Sequence, residues 1–331
     1  MKPPYDITPS IFQLVTSIAM KIGQLDASQM TRPDPYLRKQ NRIRTIHSSL
    51  VIEGNSLTLD QVTALINNKR VVGPRKDILE VMNAIKVYDN LGAFDPYSSK
   101  SFLEAHKMLM EGLLDNAGRY RSQAVGVFQG SQVVHVAPPA INVNYLMNDL
   151  FKYLKRKDEL TLIKSCVFHF EMEFIHPFID GNGRMGRLWQ TVILRNEYPV
   201  FEFLPFETLI SQRQQEYYGV LAASDRSGKS TLFIEFMLDI LDKSLAEMLN
   251  FNNRILNDSA RLEYYTATGK KEFTRKDYMK VFKDISTATA SRDLKKGVDE
   301  ELLEKEGDKN KTKYRVLNTD LMPILKKLMG E

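Results

Sequence analysis

The segment His176–Arg187 is the part of this chain that most restricts how it can fold. Pro177 disfavours the α conformation at His176, so the preceding helix is expected to end there, and Phe178 anchors the loop in the core. The glycines that follow let the backbone approach a ligand closely and leave amide N–H groups accessible. A second helix is predicted from Arg184 onward, and a helix N-terminus attracts anions. The segment therefore predicts a phosphate-binding loop between two helices.

The side chains of this loop fit the chemistry of phosphate transfer. His176 has the side chain that titrates nearest neutrality, and we expect it to be the general base that takes a proton from an attacking hydroxyl. Asp180 is the candidate ligand for Mg²⁺, which prefers one or two carboxylates plus phosphates and water. Asn182 is expected to donate to the phosphate under attack, while Arg184 and Arg187 bind the remaining phosphates. The predicted nucleotide-binding residues are Asp180, Gly181, Asn182, Gly183, Arg184, Met185, Gly186 and Arg187.

Two other interpretations use the same residues. Glycine, asparagine and aspartate dominate ordinary turns, so composition alone also fits a plain loop between helices. His169, Glu173 and His176 fall on one face of the preceding helix, at a spacing that suits a metal site. The apolar residues around them are more typical of core side chains whose hydrogen bonds are satisfied.

The twelve residues match the pattern HPFxDGNGRxxR at every defined position, and the chain thereby resembles the Fic family of protein adenylyltransferases. The resemblance implies transfer of AMP from ATP, with Mg²⁺, to a serine, threonine or tyrosine hydroxyl of a target protein. It also implies a mainly α fold: a Fic-type helical bundle with a β-hairpin flap, plus a small α+β winged-helix domain.

A second motif lies far upstream, at residues 49–55. It fits the pattern (S/T)xxxE(G/N), an inhibitory motif that some Fic proteins place before the catalytic core. An apolar stripe through residues 43–51 predicts a helix, and Gly54 supplies its stop. The resemblance implies that Glu53 pairs with Arg187 and denies it to the γ-phosphate of ATP, or orients a water so that the same site removes AMP. The predicted inhibitory residues are Ser49 and Glu53.

Two further segments complete the predicted site. Residues 125–136 contain two β-branched runs separated by Gln-Gly-Ser, which predicts a hairpin. In the family this hairpin is the flap, which adds a segment of the target as a strand beside the active site. Tyr217 and Tyr218 lie where relatives carry a tyrosine pair that borders the adenine, so both are expected in the nucleotide site.

Helical periodicity dominates the remaining sequence. Helices are predicted at roughly 8–25, 41–54, 58–68, 75–92, 99–114, 143–155, 160–175, 184–196, 207–223 and 230–250. Thr58 and Gln61 form a candidate capping box at one of these starts. We expect three regions: an N-terminal helical region at 1–98 with the inhibitory helix at about 41–55, a Fic catalytic core at 99–250, and a winged helix-turn-helix at 255–331.

The carboxy-terminal region raises a second class of function. Residues 285–294 resemble the second helix of a winged helix-turn-helix, with wing strands at 302–303 and 314–316. Ser, Thr and Arg side chains at 286–292 suit contacts with DNA. The net charge of residues 251–331 is only +4, with acids and bases interleaved. The alternative hypothesis is therefore a DNA-binding regulator, acting through residues 255–331, whose Fic core only binds nucleotide; the intact loop favours the enzyme.

Composition agrees with a soluble globular protein of more than one domain. The chain has 331 residues, of which 43% are hydrophobic and 26% charged. Its single cysteine, Cys166, excludes an internal disulfide. We find no signal-peptide pattern and no apolar stretch of membrane-spanning length, so we expect a cytoplasmic protein that does not contact membranes. The oligomeric state stays open, and a homodimer is compatible with the sequence.

Overall fold

The computed structural model describes residues 2–27, 35–129, 132–255, 261–262, 265–266, 272–282, 285–307 and 312–317. The described chain is mainly helical with two small antiparallel sheets, which confirms the predicted fold class. It divides into two compact units, residues 1–246 and 247–331. Among the described residues, no helix combines the length and apolar character that crossing a bilayer requires.

Every helix predicted from periodicity has a counterpart. The helices are α1 Pro9–Ala27, α2 Pro35–Val51, α3 Leu59–Ile66, α4 Arg75–Asp89, α5 Ser99–Leu109, α6 Ala140–Leu154, α7 Thr161–Ile175, α8 Asn182–Glu197, α9 Phe206–Gln212, α10 Gln214–Ser227 and α11 Thr231–Ile255. Several predicted bounds differ from those of the structure. Helix α2, the predicted inhibitory helix, begins at Pro35 instead of residue 41, and the single helix expected at 207–223 is two helices that meet at Arg213. Helix α5 ends at Leu109 instead of residue 114, and α11 extends to Ile255 instead of residue 250.

An aromatic cluster holds the predicted loop against the core of unit 1. Phe178, the loop residue, is fully buried and stacks on Phe102 of α5 with ring centroids 5.4 Å apart. Phe102 also meets Trp189 of α8 at 5.0 Å, and Phe151 and Phe168 complete the cluster. Burying one phenylalanine contributes about 1.5–3 kcal/mol, so this cluster fixes the loop between α7 and α8.

Helices α7 and α8 pack closely because Gly186 carries no side chain. A Cβ at this position would lie 2.6 Å from Cδ2 of His169 and 2.7 Å from Oε1 of Glu173, both on α7. Distances this short would force one of these two side chains to move, so the absence of a side chain at Gly186 permits this approach. The tight packing places the start of α8 beside the end of α7.

The turn after α2 has the geometry that the sequence predicts. Gly54 adopts φ 86°, and the N–H of Asn55 returns to the carbonyl of Leu50 at 3.1 Å. The next helix, α3, begins with the predicted capping box. The Thr58 hydroxyl accepts from the Gln61 N–H at 3.3 Å, and the Gln61 side chain accepts from the Thr58 N–H at 2.9 Å.

The predicted hairpin is present. Strand β1, Gly126–Gln129, pairs antiparallel with β2, Gln132–Val136, with an irregularity after Val127. The expected turn residues, 130–131, lie outside the described residues. In the described structure this sheet consists of these two strands, so each strand has one edge without a partner strand.

Unit 2 contains a small α+β core. Its elements are β3 Glu272–Phe273, α12 Arg275–Val281, α13 Thr287–Asp299, β4 Leu303–Glu306 and β5 Lys313–Val316, and the antiparallel sheet has the order β3-β5-β4. Inside it, Arg261 binds both carboxylate oxygens of Asp293 at 2.7 and 2.9 Å, and Tyr278 donates to the same carboxylate at 3.1 Å. The short helix, second helix and two strands expected from the sequence are present; their assignment to a winged helix stays a prediction.

Candidate active site

His176 lies directly after α7 in the left-handed conformation, with φ 50° and ψ 61°. This conformation is uncommon for a residue with a side chain, so its surroundings must hold it in place. Arg121 does so, because its Nε donates to the His176 carbonyl at 2.8 Å and its backbone N–H donates to the Pro177 carbonyl at 2.8 Å. The proposed base is thus fixed by hydrogen bonds to its own carbonyl and to the next one.

Arg121 is a site residue to which the sequence analysis gave no role. Its side chain is buried, and its remaining N–H groups donate to the carbonyls of Gln123 at 2.8 Å, Pro138 at 2.6 Å and Ile175 at 3.2 Å. One guanidinium therefore joins the end of α7 to the chain that follows β2. An arginine next to a hairpin has no sequence signal that distinguishes this role from an exposed position.

In the structure, the Asn182 side chain contacts the backbone of the loop, a contact that the sequence analysis did not predict. Its side chain was expected to donate to a phosphate, but it is buried and bonds twice to the backbone of Phe178. Oδ1 accepts from the Phe178 N–H at 3.0 Å, and Nδ2 donates to the Phe178 carbonyl at 2.9 Å. Asn182 therefore closes the loop, and α8 begins at Asn182 instead of Arg184 because Gly181, at φ 87°, supplies its N-cap. The next backbone N–H groups of α8 form its positive end.

His106 of α5 is a second residue that the sequence analysis missed. Its Nδ1 accepts from the Gly118 N–H at 2.9 Å, so the ring proton lies on Nε2, which donates to the Asp180 carbonyl at 3.0 Å. The ring stacks on Phe178 with centroids 3.6 Å apart. Burial lowers the pKa of His106 to about 4, so the ring is neutral at pH 7 and supports the loop through its hydrogen bonds.

Asp180, the metal candidate, is at the open side of the loop. Its carboxylate is 51% exposed, and Oδ1 accepts from the Gly181 N–H at 2.6 Å and from Arg184 at 2.9 Å. In the part of the chain that the structure describes, no group of three or more His, Cys, Asp or Glu side chains could hold a metal ion. A single half-exposed carboxylate suits Mg²⁺, which takes most of its ligands from phosphates and water.

Arg184 is nearly inaccessible in this structure. Its guanidinium is bound between two carboxylates, with Nη2 on Asp180 and Nη1 on Glu80 of α4 at 3.0 Å. The sequence analysis assigned Arg184 to phosphates and did not anticipate Glu80. The two carboxylates fix the direction of the side chain, and its contact with phosphates stays a prediction.

Arg187 forms the predicted contact with the upstream motif. Its guanidinium is completely buried, and Nη2 donates to Glu53 Oε1 at 2.7 Å across 134 residues of sequence. The same side chain donates to the Ser49 carbonyl at 2.8 Å and to the Ser49 hydroxyl at 3.2 Å. Burial acts to lower the pKa of Arg187, but the Glu53 carboxylate outweighs it and the pKa is raised. The Arg187 guanidinium therefore stays protonated beside this carboxylate.

Two other buried acids lie near Arg187. Burial raises the pKa of Glu173 to about 8, with a further increase from Glu53, and burial raises the pKa of Glu207 to about 7. Glu53 is the carboxylate that Arg187 contacts directly. Its carboxylate also lies against Gly183 in the first turn of α8, where a Cβ would overlap it. An anion therefore sits at the helix N-terminus where phosphates are expected.

The histidine stripe of α7 is not a metal site in this structure. His169 is fully buried; its Nδ1 donates to Gln190 Oε1 at 2.7 Å, so its Nε2 accepts from the Tyr217 hydroxyl at 3.1 Å. Burial lowers the pKa of His169 to about 3, which keeps it neutral. These two hydrogen bonds orient α7 against α8 and α10 instead.

The expected tyrosine pair divides into a core and a surface residue. Tyr217, which was expected to border an adenine, is 1% exposed and packs against Phe233 and Phe236, so its ring is not accessible to a nucleotide in this arrangement of the site. Tyr218 is 41% exposed, and its hydroxyl donates to the Ile52 carbonyl at 3.3 Å. Adjacent residues on a helix point about 100° apart, which separates their environments.

Comparison with known proteins agrees with this geometry. A profile of the Fic/DOC family matches residues 96–194, which include α5, the hairpin, α7 and most of α8. Proteins named "Protein adenylyltransferase Fic" are similar: that of Aedes aegypti is 27% identical over 62% of this chain and 42% of its own length. That of Nematostella vectensis is 28% identical over 72% of this chain and 57% of its own. The chain thus spans about half the length of these curated relatives.

Solved structures share the fold. Fic-1 of C. elegans matches 72% of this chain and 72% of its own, with a TM-score of 0.59 at 19% identity. The crystal structure of a Fic family protein from Desulfovibrio desulfuricans G20 matches 96% of this chain and 99% of its own, with a TM-score of 0.74. Because the identity with that protein is 43% over nearly the whole of both chains, this chain belongs to the Fic family.

Proposed function

We propose that the protein is an adenylyltransferase that moves AMP from ATP to a hydroxyl of a target protein and that Glu53 holds it inactive. The observation that carries the proposal is the arrangement around α8: a fixed histidine and an anion-attracting helix N-terminus lie together, and Arg187 is held by Glu53. The names of the similar proteins support the same activity.

The positive end of α8 is the binding surface for the triphosphate. Its first backbone N–H groups and the buried Arg187 suit anionic oxygens, and a guanidinium forms the stronger, charge-assisted bonds. Asp180 is the residue that would hold Mg²⁺, and the ion would supply charge neutralisation to the phosphates. Tyr218, with its exposed ring, is the remaining candidate for contact with the base.

His176 acts on the hydroxyl of the target. As the hydroxyl oxygen bonds to the α-phosphorus, the imidazole takes its proton, and pyrophosphate leaves with the electron pair of the broken bond. The fixed backbone of His176 directs the ring, because Arg121 holds the carbonyls at and after this residue. The unpaired edge of the β1–β2 hairpin suits a target segment that binds as an added strand.

The Glu53 carboxylate inhibits because it competes with a phosphate. It uses Arg187 and lies over Gly183, so a triphosphate meets a negative charge at the place where its γ-phosphate needs a donor. A charge-assisted hydrogen bond is worth about 1.5–3 kcal/mol, enough to hold most molecules in the inhibited arrangement.

The proposal is tested by transfer of α-labelled nucleotides, one at a time, to proteins of a cell lysate. We expect Glu53→Gly to label proteins from ATP, and Glu53→Gly with His176→Ala to lose a factor of roughly 10² to 10⁴ while binding ATP normally in calorimetry. A fall in AMP transfer with unchanged ATP binding is the result expected when a general base is lost. Equal labelling by the two variants would remove His176 from the mechanism, and no labelling by Glu53→Gly would reject the activity.

DNA binding by residues 255–331 is a second candidate, and the exposed start of α13 favours it. Ser286, Thr287 and Arg292 are all exposed on this part of the unit. Fluorescence anisotropy of the full chain with labelled duplex DNA tests the idea, since counterion release makes binding fall steeply with salt. We expect Arg292→Ala to weaken binding and to flatten its salt dependence; no binding at low salt would leave recognition of proteins as the role of this unit.

A further inference from the structure

Glu80 of α4 joins two parts of the site that belong to different segments of the chain. Its carboxylate is almost completely buried, and each oxygen has one partner from the site. Oε1 accepts from Arg184 at 3.0 Å, and Oε2 accepts from the side-chain amide of Asn55 at 2.8 Å. Another cation, Lys76, stays 4.0 Å away at the surface. Glu80 is thus committed to Arg184 and Asn55.

The Arg184 side of this contact leads to the metal candidate. Arg184 is 4% exposed, and its other terminal nitrogen donates to Asp180 at 2.9 Å. A buried guanidinium needs hydrogen-bond acceptors, and Glu80 supplies one of the two that Arg184 uses, so Glu80 fixes the position from which Arg184 orients the Asp180 carboxylate. Removing Glu80 frees both side chains at the phosphate end of the site.

The Asn55 side leads to the inhibitory segment. Asn55 lies two residues after Glu53, and its amide has only one possible orientation: Oδ1 accepts from the Leu57 N–H at 3.1 Å, while Nδ2 donates to the Asp77 carbonyl at 3.1 Å as well as to Glu80. The Nδ2 group therefore faces Glu80 as a donor. Glu80 stabilises the turn that holds Glu53 over α8.

We propose that Glu80 is a positioning residue that holds Arg184 and Asp180 ready for the nucleotide phosphates and, through Asn55, couples them to the inhibitory segment. The inference rests on the function proposed above. It predicts two separable effects, because one oxygen serves the phosphate side and the other serves the inhibitory side.

Substitutions at residue 80 separate these effects. Glu80→Ala removes both contacts. The glutamine side chain of Glu80→Gln has only one acceptor oxygen. When this oxygen accepts from Arg184, the glutamine NH₂ group faces the NH₂ group of Asn55, and two donors meet. The glutamine therefore preserves the phosphate side and opposes the inhibitory side.

The phosphate side is tested in the Glu53→Gly background. We expect Glu80→Ala to raise the ATP KM and the Mg²⁺ concentration for half-maximal transfer by about tenfold or more, because loss of the outer partners of a metal site typically costs roughly 10- to 100-fold. Calorimetry of ATP with Mg²⁺ should show the same loss of affinity. Glu80→Gln should restore the ATP KM, the Mg²⁺ midpoint and the ATP affinity to within about threefold. The matched control is Glu104→Gln, because Glu104 is an exposed glutamate of α5.

A purely structural role predicts a different outcome. In that case Glu80→Ala lowers the melting temperature but leaves the Mg²⁺ midpoint and ATP affinity unchanged, which overturns the phosphate side of the proposal. Failure of Glu80→Gln to restore the Mg²⁺ midpoint and the ATP affinity would also overturn the phosphate side of the proposal. If Glu53→Gly itself transfers no AMP, the proposed function fails instead, so the two failures are distinguishable.

The inhibitory side is tested with Glu53 intact. We expect Glu80→Gln and Asn55→Ala each to raise basal transfer about fivefold or more, the lower range for coupled sites. The double variant should be no more active than Asn55→Ala, because the two changes remove one shared contact. Basal transfer of Glu80→Gln equal to that of the wild type, or additive effects in the double variant, would overturn the coupling.

Discussion

At the scale of single residues, the site depends on buried polar side chains that hold the backbone of the loop. Arg121 binds the carbonyls on both sides of the bend at His176, and His106 binds the carbonyl of Asp180. Neither is accessible for binding a ligand. Both act by offsetting the cost of a strained, irregular loop inside the protein.

Loss of Arg121 should be strongly destabilising. Arg121→Ala leaves the Ile175, His176 and Pro138 carbonyls without this donor, and hydrogen bonds to charged groups contribute about 1.5–3 kcal/mol each. Because contributions within one hydrogen-bond network do not add fully, we expect the free energy of unfolding to fall by at least about 3 kcal/mol in denaturant titration. The exposed neighbour Arg119→Ala should change it by less than about 0.5 kcal/mol. Similar stability of the two variants would contradict the role given to Arg121.

His106 should make stability depend on pH in a defined window. Its folded pKa, about 4, is depressed from the usual 6.5, so its contribution is present above pH 6.5 and is lost as the pH falls towards 4. One pKa unit corresponds to about 1.4 kcal/mol, so the fall in unfolding free energy between about pH 7 and 4.5 should be about 2 kcal/mol smaller in His106→Gln than in the wild type. Parallel curves for the two proteins would show that burial of His106 does not shift its pKa.

At this scale the sequence identified which segments form the site better than it identified the contacts of their side chains. The pattern at 176–187 identified the loop, and the motif at 49–55 identified Glu53 as the partner of Arg187. It did not reveal that the Asn182 amide closes the loop or that Glu80 binds Arg184, because both depend on which groups the fold leaves without a partner. Local pattern carries no such information.

At the scale of elements, the site is built by the close packing of α7 on α8. Gly186 permits this approach, since a methyl group there would overlap His169 and Glu173. Periodicity predicted both helices within about two residues at each end. It could not predict the break at Arg213 between α9 and α10, because no proline or glycine marks that position.

A pair of glycine substitutions tests the packing of α7 and α8. Gly186→Ala should lower the free energy of unfolding by roughly 1–3 kcal/mol, the usual cost of overpacking a core. Gly219, inside α10, has no neighbouring atom within 4 Å of the point that an alanine methyl group would occupy. Gly219→Ala should therefore raise stability by roughly 0.5–1 kcal/mol through helix propensity. Changes of opposite sign in the free energy of unfolding, measured by heat or denaturant, would support the close packing of α7 on α8. Destabilisation of equal size in both variants would contradict it.

At the scale of the whole molecule, residues far apart in sequence meet at one site. The segment that ends α2 contacts α8 through Glu53 and Ser49, and it contacts α4 through Asn55. Segments outside the loop thereby supply carboxylates that contact its arginines. Family resemblance predicted the contact between Glu53 and Arg187 from the sequence. The contact between Asn55 and Glu80 was seen only in the structure.

The central claim is that Glu53 and a nucleotide phosphate compete for Arg187. Transfer of AMP from α-labelled ATP in the presence of Mg²⁺ should be measured side by side for the wild type, Glu53→Gly, Arg187→Ala and the double variant. We predict that Glu53→Gly is at least about tenfold more active than the wild type, since each 1.4 kcal/mol of relieved competition is roughly a factor of ten. Arg187→Ala also breaks the pair but removes the phosphate ligand, so it and the double variant should stay inactive. Equal activity of Glu53→Gly and wild type, or activation by Arg187→Ala, would contradict the account.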